Sequence, residues 1–337
     1  MPSPPMVTLP PGYRERLPRS WGNWVDDLPE LVASYLDRWE LTVVGALPLS
    51  YMYVVAVERA DGRPCVLKVQ PTGVPGVEET RRVMLGLTLA GSVAVEVIEE
   101  DATAGVLLLE RACPGTSLIE LAERDDDLAT ETLAGVIRDY GRPVADPASS
   151  GLRAITEFAE VFERFDRGPH GAVARSKAAA RRDTGLSVVL GMDELGTGIP
   201  AIREARRTAE RVLDELEADS YEPYLVHGDL HHDNVLLDEE RGLLVIDAWG
   251  LYGDRPADVG AAIHNPLELV ERTEDLVALF GRRLSIYSGV LGLDEERLAA
   301  WCYVYNVWSV LWTLEDSGEL EAGDGGVRSV AALRAMI

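Results

Sequence analysis

The chain has 337 residues, and its 57 acidic residues outnumber its 32 basic residues, giving a formal net charge of −25. This charge argues against nucleic acid and anionic membranes as partners, because both repel an acidic protein. It is compatible with a cationic small-molecule partner, but on charge alone a solubilising surface is the favoured explanation. The length allows one large domain or two lobes.

Neither a membrane span nor a secretory signal is expected. No apolar run reaches the ~18 residues of a transmembrane helix, and the first residues lack the basic and apolar regions of a signal peptide. The three cysteines are scattered along the chain and odd in number, which favours reduced thiols. We therefore expect a cytoplasmic location.

The N-terminal third predicts one amphipathic helix followed by a small sheet. Apolar spacing predicts the helix over 28–41. The strand candidates and a second helix then follow in chain order: strands at 42–47, 51–58 and 64–70, a helix at 78–89, and strands at 93–99 and 106–109. The Pro114-Gly115 pair then breaks the pattern, which is typical of a hinge between lobes.

The rest of the chain is predicted to be mostly helical. Helices are expected at 117–123, 129–140, 155–164, 172–182 and 202–217, a loop at 191–200, strands between 225 and 247, and further helices from 258 to the end. This order predicts an α+β protein. Its N-lobe, residues 1–111, is small and β-rich, and its C-lobe, residues 112–337, is larger and mostly helical.

The motif with the clearest chemistry lies in the segment 225–247, where two apolar runs flank a polar loop. His227, Asp229 and Asn234 have the spacing of the kinase catalytic loop H-R-D-L-x-x-x-N, with Gly228 in place of the arginine. Asp247 follows the second run, where a kinase has its metal-binding aspartate. Phosphoryl transfer requires groups that orient the hydroxyl and hold magnesium. The pattern therefore predicts a phosphotransferase site.

Other interpretations of this segment are less favoured. A His-Gly-Asp tripeptide alone is often a turn, and an aspartate often ends a buried strand. The neighbouring His231, His232 and Asp233 suggest a metal cluster, but no cysteine is nearby. Adjacent side chains on an extended segment also point to opposite faces. The joint pattern is rarer than its parts.

Lysine usage indicates where the phosphates bind. Only Lys68 and Lys177 are lysines, and the other 30 basic residues are arginines. Lys68 lies in an apolar strand like the V-A-I-K strand of kinases, where a compact ammonium contacts phosphate. A solvent-facing lysine is the alternative. The preceding turn, 47–53, lacks the glycines of a kinase nucleotide loop, and Ser50 is a candidate to offer its hydroxyl and backbone N–H groups to phosphate. Looser ATP binding or use of another nucleoside triphosphate would follow.

Over most of its length the chain resembles the aminoglycoside phosphotransferase family, in particular the branch of streptomycin 6-phosphotransferases and hydroxyurea phosphotransferases. The segments that resemble the branch are 24–41, 61–70, 107–118, 227–237, 246–247, 253–254 and 301–318. The resemblance implies a bilobal protein-kinase-like fold. It also implies transfer of the γ-phosphate of ATP, with Mg²⁺, to a hydroxyl of a small molecule.

The resemblance also implies roles for individual residues. Asp229 is the catalytic aspartate, while Asn234 and Asp247 hold Mg²⁺. Lys68 contacts the phosphates and pairs with a glutamate of the following helix. Glu79 is favoured for that pair because it edges the buried face of the helix. The backbone at Glu110 through Ala112 meets the adenine.

The chain departs from the branch after the metal-binding aspartate. Ala248-Trp249-Gly250 replaces the usual Pro-Lys pair, so Trp249 is a candidate acceptor-pocket residue and the acceptor itself does not carry over. The following segment, 253–258, is retained in outline and makes Asp254 another candidate. Asp258 is expected to N-cap the next helix.

One face of a predicted C-terminal helix is aromatic, which favours packing in the core. It contains Trp301, Tyr305, Trp308 and Trp312. The alternative is that Trp308 and Trp312, with Glu315 and Asp316 nearby, bind a sugar ring or cation. An acidic acceptor cleft fits an aminoglycoside or a basic peptide antibiotic better than neutral hydroxyurea.

Three functions stay open: an antibiotic kinase, a metabolic kinase of a sugar or other alcohol, and an inactive nucleotide-binding module. The sequence gives no oligomeric state.

Overall fold

The structure of the chain is a computed structural model that describes residues 9, 13–16, 24–47, 52–72, 77–167, 199–318, 320 and 324–337. Ser50, the predicted helix at 172–182 and most of the predicted loop at 191–200 lie outside the described residues. By its internal contacts the chain divides into a first unit, 1–116 with 236–250, and a second unit, 117–235 with 251–337. The lobes 1–111 and 112–337 divide the chain by function and stay a prediction.

The first unit contains an antiparallel sheet and two long helices, one before the first strand and one between the third and fourth strands. Its elements are α1 (Tyr13–Arg16), α2 (Trp24–Arg38), β1 (Leu41–Ala46), β2 (Tyr53–Arg59), β3 (Pro64–Val69), α3 (Val77–Ala90), β4 (Val97–Asp101) and β5 (Val106–Glu110). The strand order is β1-β2-β3-β5-β4. Strand β3 therefore has a partner on each side, and Lys68 pairs with Val54 and Leu107.

The apolar face of α2 and the inner residues of the sheet form one buried cluster. Leu28 and Val32 of α2 belong to it together with Val57, Leu67 and Val69 of the strands, all fully buried. Burial of five such side chains contributes roughly 1.5–3 kcal/mol each relative to exposure. The central position of β3 in this packing gives Lys68 a rigid backbone.

Two elements of this unit differ from the predicted bounds by more than two residues. Helix α2 ends at Arg38, three residues early, because Glu40 adopts a left-handed φ of 53° and β1 follows directly. Strand β4 starts at Val97 and not at residue 93, because 91–93 form a short 3₁₀ turn. Val95 instead donates its N–H to the carbonyl of Val245 at 3.1 Å.

A second, three-stranded sheet has the order β10-β9-β6, formed by β6 (Pro114–Ser117), β9 (Val235–Asp238) and β10 (Gly242–Val245). The N–H of Cys113 donates to the Asp238 carboxylate at 2.9 Å, and the N–H of Glu239 donates to the carbonyl of Cys113. These bonds join the predicted hinge to the β9–β10 hairpin. They explain why 236–250 belong with the N-terminal residues.

The second unit is built mainly from helices. They are α4 (Ile119–Ala122), α5 (Asp126–Tyr140), α6 (Glu160–Arg167), α7 (Ile199–Ala218), α8 (Val259–Ala262), α9 (Leu267–Arg272), α10 (Leu276–Leu291), α11 (Glu295–Ser317) and α12 (Gly325–Arg334). A small sheet adds β7 (Arg153–Ala154), β8 (Tyr224–Val226) and β11 (Leu251–Gly253), with β11 in the middle. Aspartates N-cap several helices of this unit, as Asp275 does for α10 and Asp294 for α11. None of the helices within the described residues is long and apolar enough to cross a membrane.

The aromatic face of α11 forms the core of this unit, as favoured from the sequence. Trp301 and Trp308 are fully buried, and Tyr305 is 4% exposed. Their rings meet at edge-to-face angles, 6.4 Å between the centroids of Trp301 and Trp308. Such contacts each add roughly 0.5–1.5 kcal/mol beyond area burial. Trp308 is therefore a packing residue.

An ion pair buried in the second unit joins α5 to α10. Arg283 is 0% exposed, and its guanidinium donates to the Asp126 carboxylate at 2.6 Å. The same group donates to the carbonyls of Ile263 at 2.6 Å and Asn265 at 2.8 Å. Asp126 is therefore both a residue of the first turn of α5 and the partner of a buried arginine.

Two buried histidines make the folded state sensitive to acid. Burial lowers the pKa of His264 to about 4, and burial together with Arg283 lowers the pKa of His232 to about 3. Between these values and 6.5 the unfolded chain binds more protons, so stability falls as pH falls through this window. Asp258 has the opposite effect on stability. Burial raises its pKa to about 6, so as the pH falls the folded state takes up this proton before the unfolded chain does.

We therefore expect the His264→Gln variant to lose less stability than the parent between pH 6.5 and 4. The difference corresponds to one proton, roughly 1.4 kcal/mol per pH unit. Gln also keeps an N–H donor for the carbonyl of Gly260, which lies 3.2 Å from the His264 ring. Urea unfolding of both proteins at pH 7.5, 6 and 5 measures this difference. If the free energy of unfolding changed equally with pH in the two proteins, the buried neutral state of His264 would be contradicted.

Candidate active site

The loop between β8 and β9 places the predicted catalytic residues in the second unit. His227, at its start, is fully buried, and Asp229 keeps 39% of its side chain exposed. Gly228 between them has φ 86°, a conformation that side chains other than glycine rarely adopt. This explains why an arginine is absent at this position. The turn buries the histidine and presents the aspartate.

Asp258 holds this loop through its backbone. Its carboxylate accepts the N–H of His227 at 2.9 and 3.0 Å and the N–H of Gly228 at 2.9 Å. The predicted N-cap role was wrong, because the side chain makes no cap hydrogen bond to α8. Burial raises the pKa of Asp258 to about 6, while the two N–H donors oppose that rise. Nothing local in the sequence indicates this contact, since the partners are 30 and 31 residues apart.

We expect the Asp258→Ala variant to lose stability and activity together. It leaves the N–H groups of His227 and Gly228 buried without an acceptor, at roughly 1–3 kcal/mol each. Asp275→Ala is the control, because it removes an exposed N-cap worth roughly 1 kcal/mol. Urea unfolding and turnover of both variants measure the difference. A cost for Asp258→Ala no greater than that for Asp275→Ala would contradict the anchoring role.

Further hydrogen bonds order the loop around Asp229. The side-chain amide of Asn234 donates to the backbone carbonyl of Asp229 at 2.8 Å, and the N–H of Asp229 donates to the His227 ring at 3.2 Å. The Nε2 atom of His231 lies 3.8 Å from Oδ2 of Asp229. With its nitrogen engaged, the Asn234 amide has its oxygen left for a cation. The loop can thus present a carboxylate and an amide oxygen.

His231 and His232, considered above as metal ligands, have different surroundings. His231 is partly exposed and accepts the N–H of Asp233 at 3.3 Å, whereas His232 is 1% exposed. Among the described residues no group of three or more His, Cys, Asp or Glu side chains has a metal-binding arrangement. A structural zinc site requires such a group, with four protein ligands. A magnesium ion instead needs only one or two carboxylates, since substrate phosphates and water complete its shell.

The first unit contains Lys68 and Asp247, which contact each other. The ammonium of Lys68 lies 2.8 Å from Oδ1 of Asp247, with the lysine side chain 7% exposed and the aspartate 38%. Asp247 has φ 60°, a left-handed conformation that costs a non-glycine residue roughly 1–3 kcal/mol. The carboxylate of Glu79 lies 3.7 Å from the guanidinium of Arg82, one turn along the same helix. The predicted pairing of Lys68 with Glu79 stays a prediction.

The unusual segment after Asp247 has a packing reason. Gly250 has φ 65°, and a Cβ atom on it would lie 2.0 Å from the carbonyl oxygen of Arg82 on α3. A Cβ on Gly86 would in turn lie 2.9 Å from the Cα of Gly250. Only glycine permits this contact of two backbones. Trp249, one residue earlier, is 40% exposed.

The predicted adenine-binding segment is tied to the β9–β10 hairpin by Arg241, a residue not singled out from the sequence. Its guanidinium pairs with the Glu110 carboxylate and donates to the carbonyls of Ser92 at 2.9 Å and Ala94 at 3.3 Å. Ala112 is buried. The side chain of Glu110 is therefore engaged by protein.

Several acceptor candidates contact protein groups. Asp254, 5% exposed, accepts from Arg297 at 2.6 Å and from Nε1 of Trp301 at 2.7 Å. Glu315 accepts two hydrogen bonds from Arg164, at 3.0 and 3.2 Å. Burial speaks against direct acceptor contact by Asp254 and also by Trp308.

The other candidates are more accessible. Trp312 is partly exposed, and its ring centroid lies 5.0 Å from that of Phe158 and 6.1 Å from that of Tyr305. Asp316 is exposed. The predicted acceptor contacts of Trp249, Trp312, Glu315 and Asp316 stay predictions.

Comparison with known proteins identifies the family. The family model for aminoglycoside/hydroxyurea antibiotic resistance kinases matches residues 38–317. The chain is 31% identical over 336 residues, 98% of each protein, to streptomycin 6-kinase of Streptomyces glaucescens. It is 32% identical over 294 residues, 87% of this chain and 75% of the relative, to hydroxyurea phosphotransferase of Kitasatospora aureofaciens.

A solved structure confirms the fold class. An aminoglycoside phosphotransferase from Streptomyces rimosus, in complex with ADP and streptomycin, matches with a TM-score of 0.51 and 17% identity. The match covers 84% of this chain and 98% of that one. The predicted α+β, protein-kinase-like fold is therefore confirmed. The family model and the named kinase relatives confirm the predicted small-molecule kinase. The chain belongs to the family of aminoglycoside/hydroxyurea antibiotic resistance kinases.

Proposed function

We propose that the protein transfers the γ-phosphate of ATP, with Mg²⁺, to a hydroxyl of a streptomycin-like aminoglycoside. The observation that supports this most is the partly exposed Asp229 carboxylate on a loop whose backbone is held by Asp258. The similarity to a streptomycin 6-kinase along 98% of the chain supports the acceptor class. The net charge of −25 favours a cationic acceptor over a neutral one.

In this proposal Asp229 accepts the hydrogen bond of the acceptor hydroxyl and orients it for in-line attack on the γ-phosphorus. The transition state is loose, so positioning and neutralisation of charge supply most of the acceleration. The Asn234 amide oxygen and the Asp247 carboxylate are the proposed magnesium ligands. When bound, Mg²⁺ would neutralise charge on the phosphates.

Lys68 is the proposed phosphate contact in the nucleotide site. Its ammonium is held on the central strand β3 and lies beside the Asp247 carboxylate, 2.8 Å away. The backbone from Glu110 to Ala112 is proposed to meet the adenine, with Glu79 as the partner of Lys68. Ser50 is the proposed phosphate contact of the preceding turn. We place the enzyme in the cytoplasm, where ATP is available and Cys65, Cys113 and Cys302 stay free thiols.

A hydroxyurea-like acceptor is the second candidate, favoured by the 32% identity to hydroxyurea phosphotransferase. ADP release with ATP and Mg²⁺ tests both candidates. The acceptor panel contains streptomycin, other aminoglycosides, hydroxyurea and amino sugars, with Asp229→Ala as the blank. Turnover of streptomycin that depends on Asp229 is expected. Turnover of hydroxyurea would name the second candidate, and turnover of an amino sugar alone would overturn the antibiotic acceptor.

A further inference from the structure

The hydroxyl of Tyr305 reaches the catalytic loop from the middle of α11. It donates to the backbone carbonyl of Gly228 at 2.9 Å and lies 3.2 Å from Oδ1 of Asp229. A tyrosine has one hydroxyl proton, so the two oxygens share it. The shared proton ties the side chain of Asp229 to the backbone of its own loop.

Close packing keeps this hydroxyl in place. A Cβ atom on Gly260 of α8 would lie 2.4 Å from the Cβ of Tyr305, so only glycine allows the two helices to approach here. The rings of Trp308 and Trp312 lie 6.2 and 6.1 Å from the Tyr305 ring. Burial, together with the charge of Asp229, raises the pKa of Tyr305 well above 10, so the hydroxyl stays protonated and donates.

We propose that Tyr305 is a positioning residue that holds Oδ1 of Asp229 and leaves Oδ2 to receive the acceptor proton. This inference rests on the proposed function, in which Asp229 is the catalytic aspartate. The acceptor oxygen forms a bond to the γ-phosphorus and the bond from phosphorus to the β–γ bridging oxygen breaks, releasing ADP. The acceptor proton passes to Oδ2, and Tyr305 keeps its own proton.

The physical need for such a residue follows from the exposure of Asp229. A carboxylate with 39% of its side chain exposed can rotate about its side-chain bonds unless a donor fixes it. A hydrogen bond to an ionised group is strong and directional enough to select one rotamer. Since the reaction depends on near-attack geometry, a fixed oxygen raises turnover and leaves substrate binding unchanged.

Tyr305→Phe tests this, because it removes the hydroxyl and keeps the ring. Tyr303→Phe is the matched control, since Tyr303 is also fully buried on α11 but donates to the carbonyl of Ala205 at 3.2 Å. For Tyr305→Phe we expect kcat with streptomycin to fall about tenfold or more, with KM for ATP and streptomycin within about twofold. For Tyr303→Phe we expect no change in kcat. An unchanged kcat in Tyr305→Phe would overturn the proposal.

A double-mutant cycle separates positioning from a merely structural role. In the Asp229→Ala background, Tyr305→Phe is expected to change the residual rate by less than about twofold, because the carboxylate that it positions is gone. The same tenfold loss in both backgrounds would overturn the proposal. If Asp229→Ala alone kept full turnover, the proposed function would fail instead.

Urea unfolding of the same four proteins gives a measure that needs no acceptor. Tyr305→Phe is expected to lower the unfolding midpoint more in the parent than in the Asp229→Ala background. Equal shifts in the two backgrounds would show that the hydroxyl and the carboxylate do not interact, which would overturn the positioning role.

Discussion

Asp229→Ala is expected to reduce turnover by roughly 10²-fold or more while the affinity for nucleotide changes little. The substitution removes the carboxylate of Asp229 but not the contacts that hold the backbone of the loop. Those contacts are the hydrogen bonds that the N–H groups of His227 and Gly228 donate to the Asp258 carboxylate. The loop should therefore keep its shape in the variant. Steady-state kinetics with streptomycin, together with calorimetric titration of ATP, measure the two effects separately.

Asp233→Ala is the control for this prediction. Asp233 lies on the same loop and its side chain is 57% exposed, so the substitution removes a similar charge from nearby. We expect its turnover to stay within a few-fold of the parent. Parent-like turnover in Asp229→Ala would remove Asp229 from the catalytic role. Equal losses in both variants would show that overall loop charge matters more than one carboxylate.

The largest effect on stability is expected for Arg283→Ala, a loss of roughly 3–5 kcal/mol. The substitution leaves the Asp126 carboxylate, whose side chain is 13% exposed, without its buried partner. It also removes the donors to the carbonyls of Ile263 and Asn265. Removing one partner of a buried pair is costly because the remaining charge is poorly solvated. The free energy of unfolding in urea is the quantity to measure.

The chain offers a matched control one residue earlier. Arg282 also contacts Asp126, at 3.2 Å, but its side chain is 47% exposed. Arg282→Ala should cost at most about 1 kcal/mol, since exposed ion pairs add little. The two variants thus compare an exposed arginine with a buried one, both in contact with the same carboxylate. Equal costs would show that burial of Arg283 adds nothing to its contribution.

The parts of the site that could be predicted from the sequence are those encoded locally. The spacing of Asp229 and Asn234 lies within one loop, and Lys68 stands out on a short apolar strand. Turn, strand and loop chemistry act over a few residues, so a single sequence shows them. The same holds for α2 and the strands of the first sheet, whose bounds differ from the prediction by only a few residues.

The supporting contacts could not be predicted because they join distant residues. Tyr305 and Gly228 are 77 residues apart, and Asp126 and Arg283 are 157 apart. Asp258 stands immediately before α8, so the local pattern favoured a cap, and only the tertiary structure gives its carboxylate two other N–H donors. A local rule fails here because a buried carboxylate takes the best donors that the fold brings to it.

The way in which Asp258 holds the catalytic loop has a consequence for how this enzyme can change. Its two contacts are to main-chain N–H groups, which every residue other than proline possesses. Side chains that face an acceptor can therefore be exchanged without altering what holds the reacting carboxylate. Such a separation lets new acceptors be gained by surface substitutions while the phosphoryl-transfer chemistry stays intact.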